Sequence, residues 1–411
     1  MGELLRDAET RMRPSWLLLG PAFVAAIAYV DPGNVAANIS AGAQFGFLLV
    51  WVIIVGNVMA GLVQYLSAKL GVVTGRSLPV AVADHTRTRT RIAYWLQAEL
   101  VAMATDLAEV VGGAIALHLL FDLPLLIGGA ITGFVSLLLL AIQNRRGQRM
   151  FERVISGLLL VIAIGFLTSL FVEPPPASEV AAGLLPRFEG AESVLLATAM
   201  LGATVMPHAV YLHSGLSRDR HGHPEPGRQR RWLLKVTRLD VGLAMLVAGA
   251  VNLSMLLVAA TNLQGRDNTD SIEGAHAAVR DTLGPTVALF FAIGLLASGL
   301  ASTSVGAYAG AMIMQGLLHR SYPLLLRRLV TLVPALAILA IGIDPSRALV
   351  LSQVVLSFGI PFALIPLVRL TSNRELMGED TNHRVTTALG WTVAGVISLL
   401  NVVLIYLTVK G

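Results

Sequence analysis

Apolar runs of twenty residues or more recur along the whole chain, separated by short polar stretches. They fall near 15–42, 46–68, 92–118, 124–143, 151–172 and 192–217, then near 233–261, 284–318, 323–342, 348–371 and 385–409. At about 1.5 Å per residue, a helix of about 20 residues crosses the roughly 30 Å hydrocarbon layer of a bilayer. The pattern therefore predicts an all-α integral membrane protein with eleven transmembrane helices. The first run continues into further apolar sequence and lacks a clear small-residue cleavage site, as expected of a retained span rather than a signal peptide. The polar connections are too short to hold a soluble domain, so 1–411 is expected to form a single membrane domain.

Two runs are interrupted internally. The first carries "DPGN" at 31–34, and the sixth carries "GATVMPHAVYLHSG" at 202–215, with Pro207 placed in mid-span as Pro32 is. Each proline alone reads equally well as a simple kink. The two breaks lie five helices apart, however, so the helices bearing them have opposite orientation. That arrangement predicts an inverted repeat of about 15–172 and 192–371, with discontinuous helices meeting near the midplane and an extra helix at 385–409.

Composition agrees with the span pattern: 55% of residues are hydrophobic, 13% are charged, and the mean hydropathy is +0.72. The net charge of +5 is a matter of placement. Of the 30 Lys and Arg, 25 fall in alternate loops and helix ends beginning with the N-terminal segment, and five fall in the others. The asymmetry predicts a cytoplasmic N-terminus and an extracytoplasmic C-terminus. It also makes "RDRHGHPEPGRQRR" at 218–231 a solvated cytoplasmic loop rather than a nucleic-acid contact. The chain has no cysteine, so thiolate ligands, thiol nucleophiles and disulfides are excluded.

Unwound backbone in hydrocarbon leaves polar groups costing several kcal/mol each unless they line a cavity or lie inside protein. The breaks thus predict a polar pocket holding Asp31, the Asn34 amide and carbonyls freed around Ala28 and Ala203. The competing reading of Asp31 is an Asp-Pro turn that caps the next half-helix. Met206, beside Pro207, offers a thioether, a soft donor that suits transition metals and not Mg²⁺ or Ca²⁺; its alternative role is core packing. His208 and His213 are five apart, not the four of a helical zinc pair, and each reads by default as an interior histidine. His208, next to the break, is the better placed to exchange protons. Glu99, Asp106 and Glu109 are spaced by seven and three, which puts three carboxylates on one face of the third helix. They form either a proton route or ion pairs with arginines at helix ends, such as Arg238 or Arg328.

"DPGN", "ATDLAE" at 104–109, "ATVMPH" at 203–208 and "ASGLASTSVGAYAGAMIMQG" at 297–316 resemble motifs of the Nramp family of proton-coupled divalent transition-metal transporters, especially its bacterial manganese branch. The last motif departs from the commoner eukaryotic form at Leu300 and Ala311, where glutamine is usual. The resemblance implies a LeuT-like fold with a 5+5 inverted repeat, and import of Mn²⁺, with Fe²⁺ as a second cargo, by alternating access. It further implies metal binding by Asp31, Asn34, Met206, the Ala28 and Ala203 carbonyls and Gln353. A proton pathway is implied through Asp31, Asp106, Glu109 and His208, continuing to Glu99, Arg238 and Arg328, with Gln64 near an outer gate. No cofactor and no obligate protein partner are implied; the bilayer, protons and the metal ions are the partners, in a bacterial inner membrane. The rivals are an amino-acid or amine symporter on the same scaffold, and an intramembrane metalloenzyme, for which no HExxH-type ligand spacing is present.

Overall fold

A computed structural model of the chain describes residues 20–146, 148–266, 271–320 and 324–410. Residues 15–19 of the first predicted span lie outside them. The described residues form helices and connecting turns, with no strand.

The first span is divided. Helix α1 (Pro21–Ala26) tightens into a 3-10 turn (Ile27–Val30), Asp31 is extended at φ −69° and ψ 166°, and α2 (Pro32–Phe45) follows. Pro32 has no N–H to give the carbonyl of Ala28 four residues earlier, so the helical ladder stops there. Next come α3 (Val50–Thr74), a short α4 (Leu78–Asp84), and α5 (Thr88–Phe121). They are followed by α6 (Leu125–Arg146), α7 (Gln148–Val172) and a short α8 (Ala177–Ala182). The sixth span is divided in the same way, into α9 (Gly190–Thr204) and α10 (Pro207–His221), because Pro207 cannot bond to the Ala203 carbonyl. The remainder is α11 (Arg228–Asn262), α12 (Ile272–Leu283), α13 (Pro285–Leu318), α14 (Leu324–Ile341), α15 (Pro345–Thr371), α16 (Arg374–Met377) and α17 (Arg384–Lys410).

Among the described residues, eight helices are long and apolar enough to cross a membrane, with α9 and α10 counted as one. The other three predicted runs are also helical but fall short individually. The first is cut at Asp31, the apolar part of α6 is Leu125–Leu138, and α14 has 18 described residues. Large apolar side chains such as Phe134, Phe171 and Leu246 are more than 60% exposed on the outside of the bundle, a surface suited to lipid and not to water.

The divided helices sit at the centre. α2 packs against α11, α9 and α15, and α10 packs against α3 and α13, while α13 runs along α5 and α7. Two glycines permit the closest approaches. A Cβ on Gly112 of α5 would run into the Pro32 ring, and one on Gly33 would occupy the space of the Gln353 side chain from α15. Outside this assembly, α17 is fastened to α15 by Asn401, which accepts from Ser357 Oγ at 2.7 Å and donates to the Ser357 carbonyl at 3.0 Å.

Candidate metal pocket and acid stripe

The two breaks face each other. Asp31 Oδ1 accepts from the Asn34 backbone N–H at 2.8 Å, so the capping role is realised, and it also accepts from Asn34 Nδ2 at 2.9 Å. The same Nδ2 donates to the freed Ala203 carbonyl at 2.9 Å, joining the two breaks through one amide. With both amide hydrogens used, Asn34 Oδ1 is left buried and without a hydrogen-bond partner. Gln353 behaves alike: its Nε2 donates to Ser352 Oγ at 3.1 Å and reaches Asp31 Oδ2 at 3.4 Å, leaving Oε1 buried and unpartnered. Met206, the N-cap residue of α10, is fully buried, as are Asp31, Asn34 and Gln353.

The donor set of this pocket is thus one carboxylate, two orphaned amide oxygens, a carbonyl lacking its helical partner and a thioether nearby on the second break. An unpartnered buried acceptor costs about 1–3 kcal/mol, and a cation satisfies several acceptors at once. Among the described residues, no group of three or more His, Asp and Glu side chains is arranged to hold a metal, so these mixed donors are the candidate. Ala28 lies buried in the 3-10 turn beside them. The neighbouring carbonyls are taken up by other helices: Tyr29 O accepts from Asn252 Nδ2 at 2.8 Å and Val30 O from Ser298 Oγ at 2.5 Å. Asn252 also accepts from Asn38 at 3.2 Å. Sequence reasoning passed over Asn252, whose only signal was polarity inside an apolar helix, and met Ser298 only as part of the motif at 297–316.

The acid stripe of α5 lies beside the pocket, since Gly112, which touches Pro32, is one turn beyond Glu109. Asp106 and Glu109 are buried and converge on Arg328 of α14, which is bonded to Asp106 and lies 3.7 Å from Glu109 Oε2. Arg328 Nε also donates to Ser136 Oγ at 3.1 Å. Neither oxygen of Glu109 has a hydrogen-bond partner. Arg327, the next residue, pairs with Glu99 at 3.1 Å. His208 approaches the stripe through Thr105, with Nδ1 3.4 Å from the threonine hydroxyl.

Two expected residues are placed otherwise. Arg238 is exposed on α11, stacked over the Tyr65 ring at 4.9 Å, and does not reach the stripe. The reason is that α11 packs along α2 and α3, so the arginine it presents belongs to a different face of the bundle. Arg327 stands where Arg238 was expected, and only its position beside Arg328 at a helix end could have pointed to it. Gln64 is buried among Tyr29, to whose hydroxyl it donates, and His213, whose Nδ1–H it accepts at 2.6 Å. Tyr29 precedes the first break and His213 follows the second, so this cluster is on the α1 and α10 side. Gln64, expected near an outer gate, thus lies on the same side of the breaks as α1, which is the inner side if the N-terminus is cytoplasmic as the charge pattern predicts. Farther along the same side, both carboxylate oxygens of Asp240 accept backbone N–H groups at the start of α1, from Gly20 at 3.1 Å and Ala22 at 3.0 Å. On the opposite side a cavity of about 420 Å³ is lined by Ser40, Gln44, Glu192, Asp344 and Arg347.

The family model described as "Natural resistance-associated macrophage protein-like" matches residues 22–407. The chain is 72% identical over 411 residues to the divalent metal cation transporter MntH of Mycobacterium tuberculosis, covering all of this chain and 96% of that one. A crystal structure of the Eremococcus coleocola manganese transporter, in a mutant form, superposes with a TM-score of 0.84 at 31% identity, covering 96% of this chain and 88% of that one. MhsT, solved in complex with L-phenylalanine, gives a TM-score of 0.61 at 13% identity over 94% and 98% of the two chains, a likeness of fold.

Proposed function

From the premise that this chain belongs to the Nramp family, we propose that it imports Mn²⁺, and Fe²⁺ as a second cargo, together with protons by alternating access. The observation that carries the reading is the donor set at the facing breaks: Asp31, the orphaned oxygens of Asn34 and Gln353, the Ala203 carbonyl and the Met206 thioether. Hard oxygens alone would suit Mg²⁺ or Ca²⁺ as well; the thioether tilts the set toward softer ions. An amino-acid symporter on the same fold needs a pocket that receives a substrate carboxylate, and Asp31 repels one.

Protons take a separate route. Asp106 and Glu109, with His208 at one end and the Arg328, Arg327 and Glu99 series at the other, make a chain of ionisable groups beside the pocket, while Asp31 belongs to both paths. Keeping the charges in two files spares a divalent ion and a proton from passing through one. An inside-negative potential adds about 2.3 kcal/mol per elementary charge per 100 mV, about twice that for a divalent ion. With the N-terminus cytoplasmic, the 420 Å³ cavity is the external entry, and the Tyr29, Gln64 and His213 cluster closes the exit. Opening the exit requires α1 to leave its Asp240 anchor while the halves 15–172 and 192–371 exchange roles.

The test is uptake into proteoliposomes containing a metal-quenched fluorophore, with a panel of competing divalent ions at two external pH values. Mn²⁺ and Fe²⁺ are expected to compete with each other, uptake is expected to be faster at the lower pH, and Ca²⁺ and Mg²⁺ are expected to compete weakly. Quenching that is unaffected by pH, or blocked equally by Mg²⁺, contradicts the proposal.

A further inference from the structure

Where α5, α13 and α14 come together at the Thr88 end of α5, a cavity of about 660 Å³ opens beyond the Glu99 and Arg327 pair. Its charged lining consists of Arg91, Arg320 and Arg327 against one carboxylate, Glu99. Arg327 is only 8% exposed and its Nε has no hydrogen-bond partner. The Nε of Arg91 and the indole N–H of Trp95 are likewise buried and unpartnered. Among the described residues, Arg91 and Arg320 form no ion pair. Three arginines and a tryptophan therefore line one space with a net excess of positive charge, and three of their N–H donors lack an acceptor. A guanidinium N–H left without an acceptor in a buried place is costly, and the planar fork of arginine matches the oxygens of a phosphate.

The rest of the wall is apolar and turned outward. Ile92, Leu326 and Val330 line the cavity and are 41%, 55% and 59% exposed, on helices whose outer faces meet lipid. A free phosphate has no use for this wall; an acyl chain does. The cavity lies at the Thr88 end of α5, next in the chain to the exposed Arg87 and Arg89, and the end of a membrane-spanning helix is where headgroups are met. Basic pockets between membrane helices are recognised by anionic headgroups.

We propose that this cavity binds the phosphate headgroup of an anionic phospholipid, with an acyl chain lying along Ile92, Leu326 and Val330. Arg91 and Arg320 supply the headgroup contacts that are free of Glu99, and Trp95 supplies a neutral donor. The site stands apart from the metal pocket and holds whether or not the chain moves metal as proposed above.

The full-length protein in detergent is titrated with phosphatidylglycerol, phosphatidylcholine or inorganic phosphate, and retained lipid is read by native mass spectrometry alongside the Tm. The wild type is expected to retain phosphatidylglycerol at least about tenfold over phosphatidylcholine and to gain Tm with it, and inorganic phosphate is expected to give no gain. The pair Arg91→Gln and Arg320→Gln is expected to abolish both effects. Arg87→Gln with Arg89→Gln removes the same charge outside the cavity and is expected to keep them. Equal retention in the wild type and the cavity pair, or equal loss in both pairs, overturns the proposal. A Tm gain from inorganic phosphate matching that from phosphatidylglycerol overturns the lipid assignment and needs no variant to read.

Discussion

At Asp31 the helix cap and the pocket share one carboxylate. Oδ1 carries both Asn34 bonds, which order the break, while Oδ2 meets Gln353 from another helix at 3.4 Å. In the proposed function Met206 contributes selectivity rather than charge. Met206→Ala is expected to leave Mn²⁺ uptake measurable while lowering its preference over Ca²⁺ by about tenfold, near 1.4 kcal/mol; unchanged competition by Ca²⁺ in proteoliposomes refutes the thioether's role. Asp31 and Asn34 stood out in the chain because an acid and two helix breakers inside an apolar run are too costly in hydrocarbon unless they line a polar pocket, and Met206 because its thioether sits beside the matching break at Pro207. Gln353 was not legible without the family resemblance, since a lone glutamine in a long apolar helix reads as incidental. Its place beside Asp31 depends on Gly33, which makes room for it from another helix, a pairing that no spacing along the chain encodes.

Among the elements, the divided helices and the acid face of α5 were readable from proline placement and from helical periodicity. Which arginine meets that face was not. Arg238 and Arg328 look alike at helix ends, and only the packing of α14, rather than α11, against α5 separates them. Removing a partner from a buried ion pair costs about 3–5 kcal/mol. Arg328→Ala is therefore expected to lower the Tm markedly by stranding Asp106 and Glu109, and adding Asp106→Asn is expected to restore part of the loss. A Tm unchanged by Arg328→Ala contradicts the burial of this cluster. Asp240 is a remote cap on α1, holding two N–H groups that an isolated helix start leaves free. Losing a cap costs about 1 kcal/mol, or roughly fivefold in an equilibrium. The absence of native cysteine allows a clean readout. In an Ala25→Cys background, Asp240→Ala is expected to speed labelling from the α1 side severalfold, and equal rates show that Asp240 does not hold α1 closed.

For the whole molecule, the span pattern carried the all-helical membrane class, the paired breaks pointed to discontinuous helices, and the family resemblance supplied the LeuT-like architecture. The side of the breaks on which each polar cluster lies was harder to read, as Gln64 shows. Its neighbours Tyr29 and His213 come from two separate divided helices, and only the fold tells that both lie on the same side of the breaks. The same fold sets the candidate metal pocket and the acid stripe side by side, touching where Pro32 packs on Gly112. The central claim is that these are two routes for two cations. Its most direct test is to record Mn²⁺ entry and proton entry in one proteoliposome preparation, with a trapped metal indicator and a trapped pH indicator, for the wild type and Asp106→Asn. Separate routes predict that the variant loses most of its metal-evoked proton entry while keeping much of its Mn²⁺ entry. Loss of both fluxes in equal proportion, or wild-type levels of both, would contradict the account.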